Sequence, residues 1–125
     1  MYKKKLEPDI RCPLEYGLEI FGGKWNSRII CVLNSKKVLR YSELRTEMGN
    51  ITDAVLASTL KDLIANDIVI RKSYDEIPPK VEYSLSDKGK SVVPILQSVC
   101  KWAGVFYKDD TDKTMIQCKK CDHVI

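Results

Sequence analysis

The chain of 125 residues, 44% hydrophobic and 30% charged, suits one globular domain with a modest core, and no apolar run is long enough to cross a bilayer. The net charge of +4 is compatible with nucleic-acid binding but too small to indicate it. The basic start of the chain lacks the apolar core of a signal peptide, so we expect a cytoplasmic protein. Five cysteines without an export signal are expected to be reduced thiols and not a disulfide framework.

The first predicted elements are an arm and a short helix. Residues 1–10 are expected to form a flexible basic arm whose lysines are either solvated or in contact with phosphates. Because proline is favoured at the first helical position, Pro13 predicts a helix from Pro13 to Phe21 with Cys12 at its N-cap. One face of this helix carries Leu14, Leu18 and Phe21.

A second helix and a short strand follow. The helix is predicted from Trp25 to Asn34, with a core-facing stripe formed by Trp25, Ile29, Ile30 and Leu33. Residues 35–37 are expected to form a turn. Val38 to Arg40 then predicts a third strand for the sheet described below.

The next stretch has the pattern of a helix-turn-helix. A short helix opens near Ser42 and stops at Gly49, and Thr52 is a suitable N-cap for a second helix that ends at Asn66-Asp67. One stripe of the second helix is apolar and consists of Leu56, Leu60, Leu63 and Ile64. Two helices joined by a short glycine turn indicate a helix-turn-helix.

A β-hairpin is predicted directly after the second helix. Ile68 to Tyr74 is rich in β-branched and apolar residues, residues 76–79 break the strand, and Val81, Tyr83 and Leu85 show the alternation of a second strand. A hairpin in this place makes a winged helix, a fold that commonly docks one helix in the DNA major groove.

The last long helix is apolar on more than one face. Ser86 is its predicted N-cap, and Pro94 is expected to kink it or delay its start. A helix with two apolar faces must bury both, so we expect a partner subunit to cover one. The predicted dimer residues are Val99, Trp102, Ala103 and Phe106.

These elements predict a mainly α fold with a small β-hairpin wing: a winged helix-turn-helix whose N- and C-terminal helices form a dimer interface. Residues 11–107 would form this domain, and residues 108–125 a polar tail that contains a CxxC motif.

Several motifs occur in the order and spacing of a known family. They are Cys12-Pro13, Gly22-Gly23-Lys24-Trp25, Leu39-Arg40-Tyr41-Ser42-Glu43-Leu44, Ile51-Thr52 with Leu56 and Leu60, Pro78-Pro79-Lys80-Val81-Glu82-Tyr83-Ser84-Leu85, Gly89 and Trp102. Over roughly Arg11 to Phe106 they resemble the HxlR-type bacterial transcriptional regulators, relatives of the MarR group. The resemblance implies a homodimer that binds palindromic operator DNA. It also implies oxidant or electrophile sensing at the position of Cys12, as in several members.

The chain departs from the family pattern at three places. The family often carries Gln, Lys or Arg on the outer face of the recognition helix, where this chain has Asp53, Ala54, Ala57, Ser58 and Thr59. The family's glycine at the end of that helix is Asp67, and the tail from Cys118 to His123 lies outside the pattern.

The predicted DNA contacts fall into two groups. Base edges would meet Thr52, Ala54, Val55 and Ser58, with Lys61 on the same face, and such small side chains predict degenerate readout. Phosphates would meet Arg40, Arg71, Lys72 and Lys80, with Lys24, Lys36 and Lys37 as a wider set. The alternative for both groups is an ordinary solvated surface.

The cysteines suggest two further chemistries. The positive end of the helix macrodipole and the cation of Arg11 are expected to favour the thiolate of Cys12, whereas Cys31 and Cys100 lie in apolar helices and suit a core or an interface. The remaining candidates, Cys118, Cys121 and His123, form at most three ligands of a zinc site that needs four, so a redox-active or disordered tail is the alternative.

We therefore expect a DNA-binding transcriptional regulator, a repressor that acts as a homodimer and responds to an oxidant or a small-molecule inducer. No phosphate loop, paired carboxylates or nucleophile–base arrangement stands out, so neither an enzyme nor a cofactor is predicted. Two alternatives are a winged-helix module that binds protein and not DNA, and a thiol enzyme that uses Cys118 and Cys121.

Overall fold

The computed structural model describes residues 9–107 as five helices and one antiparallel sheet of three strands. In chain order the elements are α1 (Pro13–Phe21), α2 (Lys24–Lys36), β1 (Val38–Arg40), α3 (Tyr41–Met48), α4 (Asp53–Ala65), β2 (Val69–Tyr74), β3 (Lys80–Leu85) and α5 (Asp87–Ala103). The strand order is β1-β3-β2. The predicted fold class, a mainly α winged helix-turn-helix with a small wing, is confirmed. None of the helices within residues 9–107 has the length and apolarity needed to span a membrane.

The predicted caps of α4 and α5 are present. The Thr52 hydroxyl accepts a hydrogen bond from the Val55 N–H at 3.2 Å, and the Ser86 hydroxyl accepts one from the Gly89 N–H at 2.9 Å. Each cap satisfies a backbone donor that the first helical turn leaves without an intrahelical partner. Two local side chains thus fix where the recognition helix and the last helix begin.

The connection from α4 to β2 is closed by backbone hydrogen bonds. The Asp67 N–H donates to the Ile64 carbonyl at 3.0 Å, and the Ile68 N–H donates to the Leu63 carbonyl at 2.9 Å. Asp67 has φ 63°, a left-handed conformation that aspartate tolerates better than most residues. Ile68 is therefore part of the helix end, and β2 begins at Val69 and not at Ile68 as predicted.

α5 passes so close to this connection that only glycine fits at the crossing. A Cβ atom on Gly89 would collide with the carbonyl oxygen of Ile68. Because this backbone approach tolerates no side chain, Gly89 sets how deeply the start of α5 lies against the end of α4.

The centre of the core is formed by side chains from α2, α3 and α4 and by Ile68, which precedes β2. Residues with no exposed surface are Ile29, Ile30, Leu44, Leu56, Leu63 and Ile68. The inner side of the sheet adds Leu39, Val69, Tyr83 and Leu85. The stripes predicted for α2 and α4 are thus the core-facing stripes.

The end of α2 differs from the prediction, and the apolar face of α1 lies largely in solvent. α2 continues to Lys36, two residues beyond Asn34, and Lys37 closes it by donating its N–H to the Leu33 carbonyl at 2.8 Å. On α1, Leu14 and Leu18 are 67% and 51% exposed, while Ile20 is the buried residue. Of the apolar face of α1, Phe21 packs against the core of its own chain, whereas Leu14 and Leu18 do not.

Candidate nucleic-acid interface

The outer face of α4 is open to solvent over its first half. Thr52, Ala54 and Val55 are exposed, Ser58 is half-buried and Lys61 is exposed. The opposite stripe is locked in the core, with Leu56 and Leu63 at 0% exposure. A helix held in this way presents its N-terminal residues outward, which is the arrangement in which recognition helices meet base edges.

Thr59 does not belong to this outer face. The sequence grouped it with the exposed residues, but it is only 8% exposed, and its hydroxyl donates to the Val55 carbonyl at 2.7 Å. This bond satisfies the hydroxyl within the helix, so a threonine is stable on the buried side.

A polar cluster ties α3 to the first turn of the recognition helix. Arg45 Nε lies 2.9 Å from Asp53 Oδ1, and the Tyr41 hydroxyl donates to the same oxygen at 3.3 Å. Burial, followed by the charge of Asp53, raises the pKa of the Tyr41 hydroxyl above its ordinary value. The carboxylate at the start of α4 is thus compensated by a guanidinium from the preceding helix.

The sequence alone does not predict this cluster. Asp53 stands there as an isolated acidic departure, and Arg45 and Tyr41 have no predicted role. The contact depends on how α3 crosses α4, which spacing along one helix does not show. The available signal was an arginine in the first helix of a helix-turn-helix and an aspartate directly after the cap of the second.

The sheet places its predicted basic residues on two different faces. On the central strand β3, Glu82 pairs with Arg40 of β1 on one side and with Lys72 of β2 on the other. Arg71 of β2 pairs instead with Tyr83. Directly paired residues share a face and neighbours in a strand alternate. Arg40, Lys72 and Lys80 therefore lie on the outer face, and Arg71 lies on the face that carries the buried Leu39 and Tyr83.

The outer-face cations are already engaged within the chain. Lys80 Nζ lies 3.5 Å from the Glu82 carboxylate and 4.7 Å from the centre of the Tyr74 ring, and Lys72 Nζ lies 5.0 Å from the same ring. Tyr74 donates to Glu82 at 2.8 Å, and this bond, with Lys80 beside it, lowers the pKa of the Glu82 carboxyl. Lys80 is only 27% exposed.

Arg71 differs from these residues because it stays available at the surface. Its side chain is exposed and donates to the Ser73 hydroxyl at 2.9 Å. By strand alternation it lies on the same side of the sheet as the helices. Of the four predicted phosphate contacts, Arg71 therefore has the position best suited to act together with α4.

Cys12 is exposed at the N-terminal end of α1, and its carbonyl accepts the Glu15 N–H at 3.0 Å. Its surroundings are less cationic than predicted. Arg11 Nε pairs with Asp9 at 3.2 Å, and the Arg11 N–H donates to the Glu15 carboxylate at 2.9 Å. Two carboxylates thus offset the positive charge of the arginine beside Cys12.

The other cysteines separate into two groups. Cys31 on α2 and Cys100 on α5 are partly buried. The predicted metal candidates Cys118, Cys121 and His123 lie outside the described residues. Between residues 9 and 107, no three His, Cys, Asp or Glu side chains come together in a way that could hold a metal ion.

The predicted dimer residues line an exposed apolar stripe. Val99 is 52% exposed, Trp102 69% and Phe106 76%, whereas Ala103 is half-buried. The Trp102 and Phe106 rings contact each other in a tilted arrangement, with centroids 5.6 Å apart. Phe106 follows the end of α5 at Ala103 and belongs to a turn, but it continues the same surface.

Comparisons with known proteins agree with this architecture. A family model described as HxlR-like helix-turn-helix matches residues 20–111. A protein of Halalkalibacterium halodurans named as an uncharacterized HTH-type transcriptional regulator is 44% identical over 101 residues, which cover 81% of this chain and 89% of that protein.

Two solved structures give the same result at the level of the fold. The reduced form of the transcriptional regulator YodB from B. subtilis matches with a TM-score of 0.71 and 33% identity, over 82% of this chain and 100% of that chain. The redox regulator HypR in its oxidized form matches with a TM-score of 0.69 and 34% identity, over 78% of this chain and 99% of that chain.

Proposed function

The chain belongs to the HxlR-like helix-turn-helix family of transcriptional regulators, and on that premise we propose that it is a repressor that binds palindromic operator DNA as a homodimer. The outer face of α4 would enter the major groove, with Thr52, Ala54, Val55 and Ser58 at the base edges and Lys61 beside them. Arg71 would contact a phosphate. Acting on DNA would place the protein in the cytoplasm.

One observation carries this proposal. α4 is fixed on its inner side by buried leucines and capped by Thr52, while the outer face of its first two turns is exposed to solvent. The N-terminal half of such a helix fits the width of the major groove, which admits one α-helix. The small side chains on that face let the backbone approach closely, and they make degenerate readout the expected outcome.

Selection from randomised duplex DNA tests the proposal directly. We expect enrichment of two inverted half-sites in which only a few base pairs are strongly constrained, because serine, alanine and valine discriminate weakly between bases. A Ser58→Ala, Val55→Ala variant should relax the constrained positions, whereas Ala65→Ser, an exposed change at the far end of α4, should leave them unchanged. Failure to enrich any sequence would favour the protein-binding module.

The second copy is proposed to bind across the apolar surface of α1 and α5. Leu14 and Leu18 on α1 and Val99 and Trp102 on α5 are more than half exposed. A single chain rarely leaves so many large apolar side chains in water unless a partner covers them. A homodimer would bury them and set the distance between two α4 helices.

Cys12 is proposed as the oxidant-responsive residue. Its exposed thiolate would attack a peroxide, so that an S–O bond forms, the O–O bond breaks and hydroxide leaves. A second thiol, for which we propose Cys100 on α5, would then displace water from the sulfenic acid and form a disulfide. Either product would lie beside the proposed dimer surface and alter how the two α4 helices are spaced.

Operator affinity before and after mild peroxide tests this role. The parent protein should change its affinity at least about fivefold, the lower end of typical coupling between sites. Cys12→Ser should not respond, and Cys31→Ser, which removes a half-buried thiol from α2, should respond like the parent. An unchanged response in Cys12→Ser would assign sensing to another thiol.

A further inference from the structure

A cavity of about 290 Å³ lies between the end of α2, the paired strands β1 and β3, and the first turns of α5. Its apolar walls are Leu33 and Leu85, which are 1% and 6% exposed, and Val38 at the edge. This volume is near the lower end of the range for small-molecule sites. None of the residues proposed to read bases lines it.

The polar part of the lining is cationic. It consists of Lys37 and Lys90 together with Asn34 and Ser84, and it contains no acidic residue. Two lysines elsewhere pair with carboxylates, Lys36 with Glu47 and Lys80 with Glu82. Within residues 9–107, by contrast, the ammonium groups of Lys37 and Lys90 have no hydrogen-bond or ion-pair partner.

The backbone of Lys37 is in an uncommon conformation for a lysine. Its φ is 76° and its ψ −63°, a region that glycine enters more readily than other residues. The position is fixed on both sides, by the end of α2 and by the start of β1 at Val38. A glycine at position 37 would relieve the backbone, but it would also remove an ammonium group from the cavity.

The cavity stays open when two chains pair through the proposed surface. At 100° per residue, Lys90 lies about 120–180° around α5 from Ile95, Val99 and Trp102. The buried side of the helix, with Gly89 and Leu96, separates these two regions in one direction. A partner on the apolar stripe therefore does not cover Lys90.

We propose that this cavity binds a small organic carboxylate with a single ring or a short aliphatic chain. Lys37 and Lys90 would neutralise the carboxylate, the Asn34 amide would donate to it, and the apolar part would lie on Leu33 and Leu85. Val38 and Ser84 are directly paired in the sheet, so a ligand there would touch the root of the wing and α5 at once. The binding is independent of DNA and can be measured without it.

Calorimetric titration of the full-length protein with benzoate, hexanoate, benzamide and inorganic phosphate tests the proposal. Benzoate or hexanoate should bind once per chain, and benzamide, which lacks the charge, should bind about fivefold more weakly or worse. Phosphate should also bind more weakly because it has no apolar part. Equal binding of benzoate and benzamide, or of benzoate and phosphate, would overturn the proposal, as would no binding of either carboxylate at about 10 mM.

Three variants locate the site. Lys37→Gly removes one ammonium while relieving the backbone, and Lys90→Met keeps the length and helix propensity of the side chain. Each should weaken benzoate binding about three- to fivefold with no fall in the unfolding temperature. Lys101→Met, an exposed lysine of α5 outside the cavity, should bind like the parent. Unchanged binding in the Lys37→Gly, Lys90→Met double variant would place any carboxylate elsewhere and overturn the assignment.

Discussion

The helix-turn-helix region and the two terminal helices bury their apolar side chains differently. Leu44 and Leu56 are completely buried, whereas Leu14 on α1 and Trp102 on α5 are 67% and 69% exposed. The same helical periodicity produces both stripes. A single chain is thus sufficient to hold the recognition helix in place, while the terminal helices display a surface that suits a second chain.

The largest expected effect comes from a core substitution in the helix-turn-helix region. Leu63→Ala should lower the free energy of unfolding by about 2–5 kcal/mol, because it leaves a cavity beside side chains that cannot relax into it. Urea denaturation at fixed protein concentration measures this. Lys61→Ala, two residues away on the exposed side of α4, should stay within about 0.5 kcal/mol of the parent. Equal losses in the two variants would contradict the buried stripe.

The next effect concerns the terminal helices. Trp102→Asp should weaken dimerisation by about 2–4 kcal/mol, since a charge would enter an apolar interface and a large aromatic contact would be lost. Sedimentation measures the dissociation constant, and circular dichroism should show unchanged helix content. Lys101→Asp puts the same carboxylate one residue away, off the apolar stripe. If both variants dissociate to the same extent, the interface lies on another face.

A smaller effect compares the two faces of the wing. Arg71→Ala should weaken DNA binding about five- to tenfold at low salt and reduce the salt slope by about 0.9, as expected for one lost phosphate contact. Lys72→Ala, its neighbour on the outer face, should change the slope by less than half of that. Fluorescence anisotropy over a salt series measures both. A larger effect for Lys72 would mean that the outer face meets the DNA.

The smallest effect concerns the carboxylate at the start of α4. Asp53→Ala should strengthen DNA binding about two- to fivefold at low salt for all sequences, because it frees the guanidinium of Arg45 and removes a negative charge from the groove. Asp87→Ala makes the same change at the first position of α5 and should have no effect on affinity. Weaker binding at one base position only would identify Asp53 as a base-reading residue.

The sequence predicted the elements whose signals are local. Pro13 and Thr52 mark the starts of α1 and α4, and the alternation of β3 gives its buried side, because each signal depends only on neighbouring residues. The core-facing stripe of α4 is likewise predicted by the three- and four-residue spacing of its apolar residues, which is a local signal. These features decide the fold class.

Contacts between different helices and strands could not be predicted from the sequence. Spacing alone did not show that Arg45 reaches Asp53 or that Lys80 is held by Glu82 and Tyr74. Nor did it show that Leu14 lies outside the core, because a helical stripe is equally apolar whether its own chain or another chain covers it. The positive φ of Lys37, which closes α2 two residues late, also had no signal in the residue type.

Hydroxyl-radical footprinting on a selected operator, combined with the number of chains bound per duplex, tests whether two chains present two α4 helices to one face of the DNA. We expect two chains per duplex and two protected regions related by two-fold symmetry. Their centres should lie about 10 base pairs, or about 34 Å, apart. One chain per duplex with a single asymmetric protected region would contradict it.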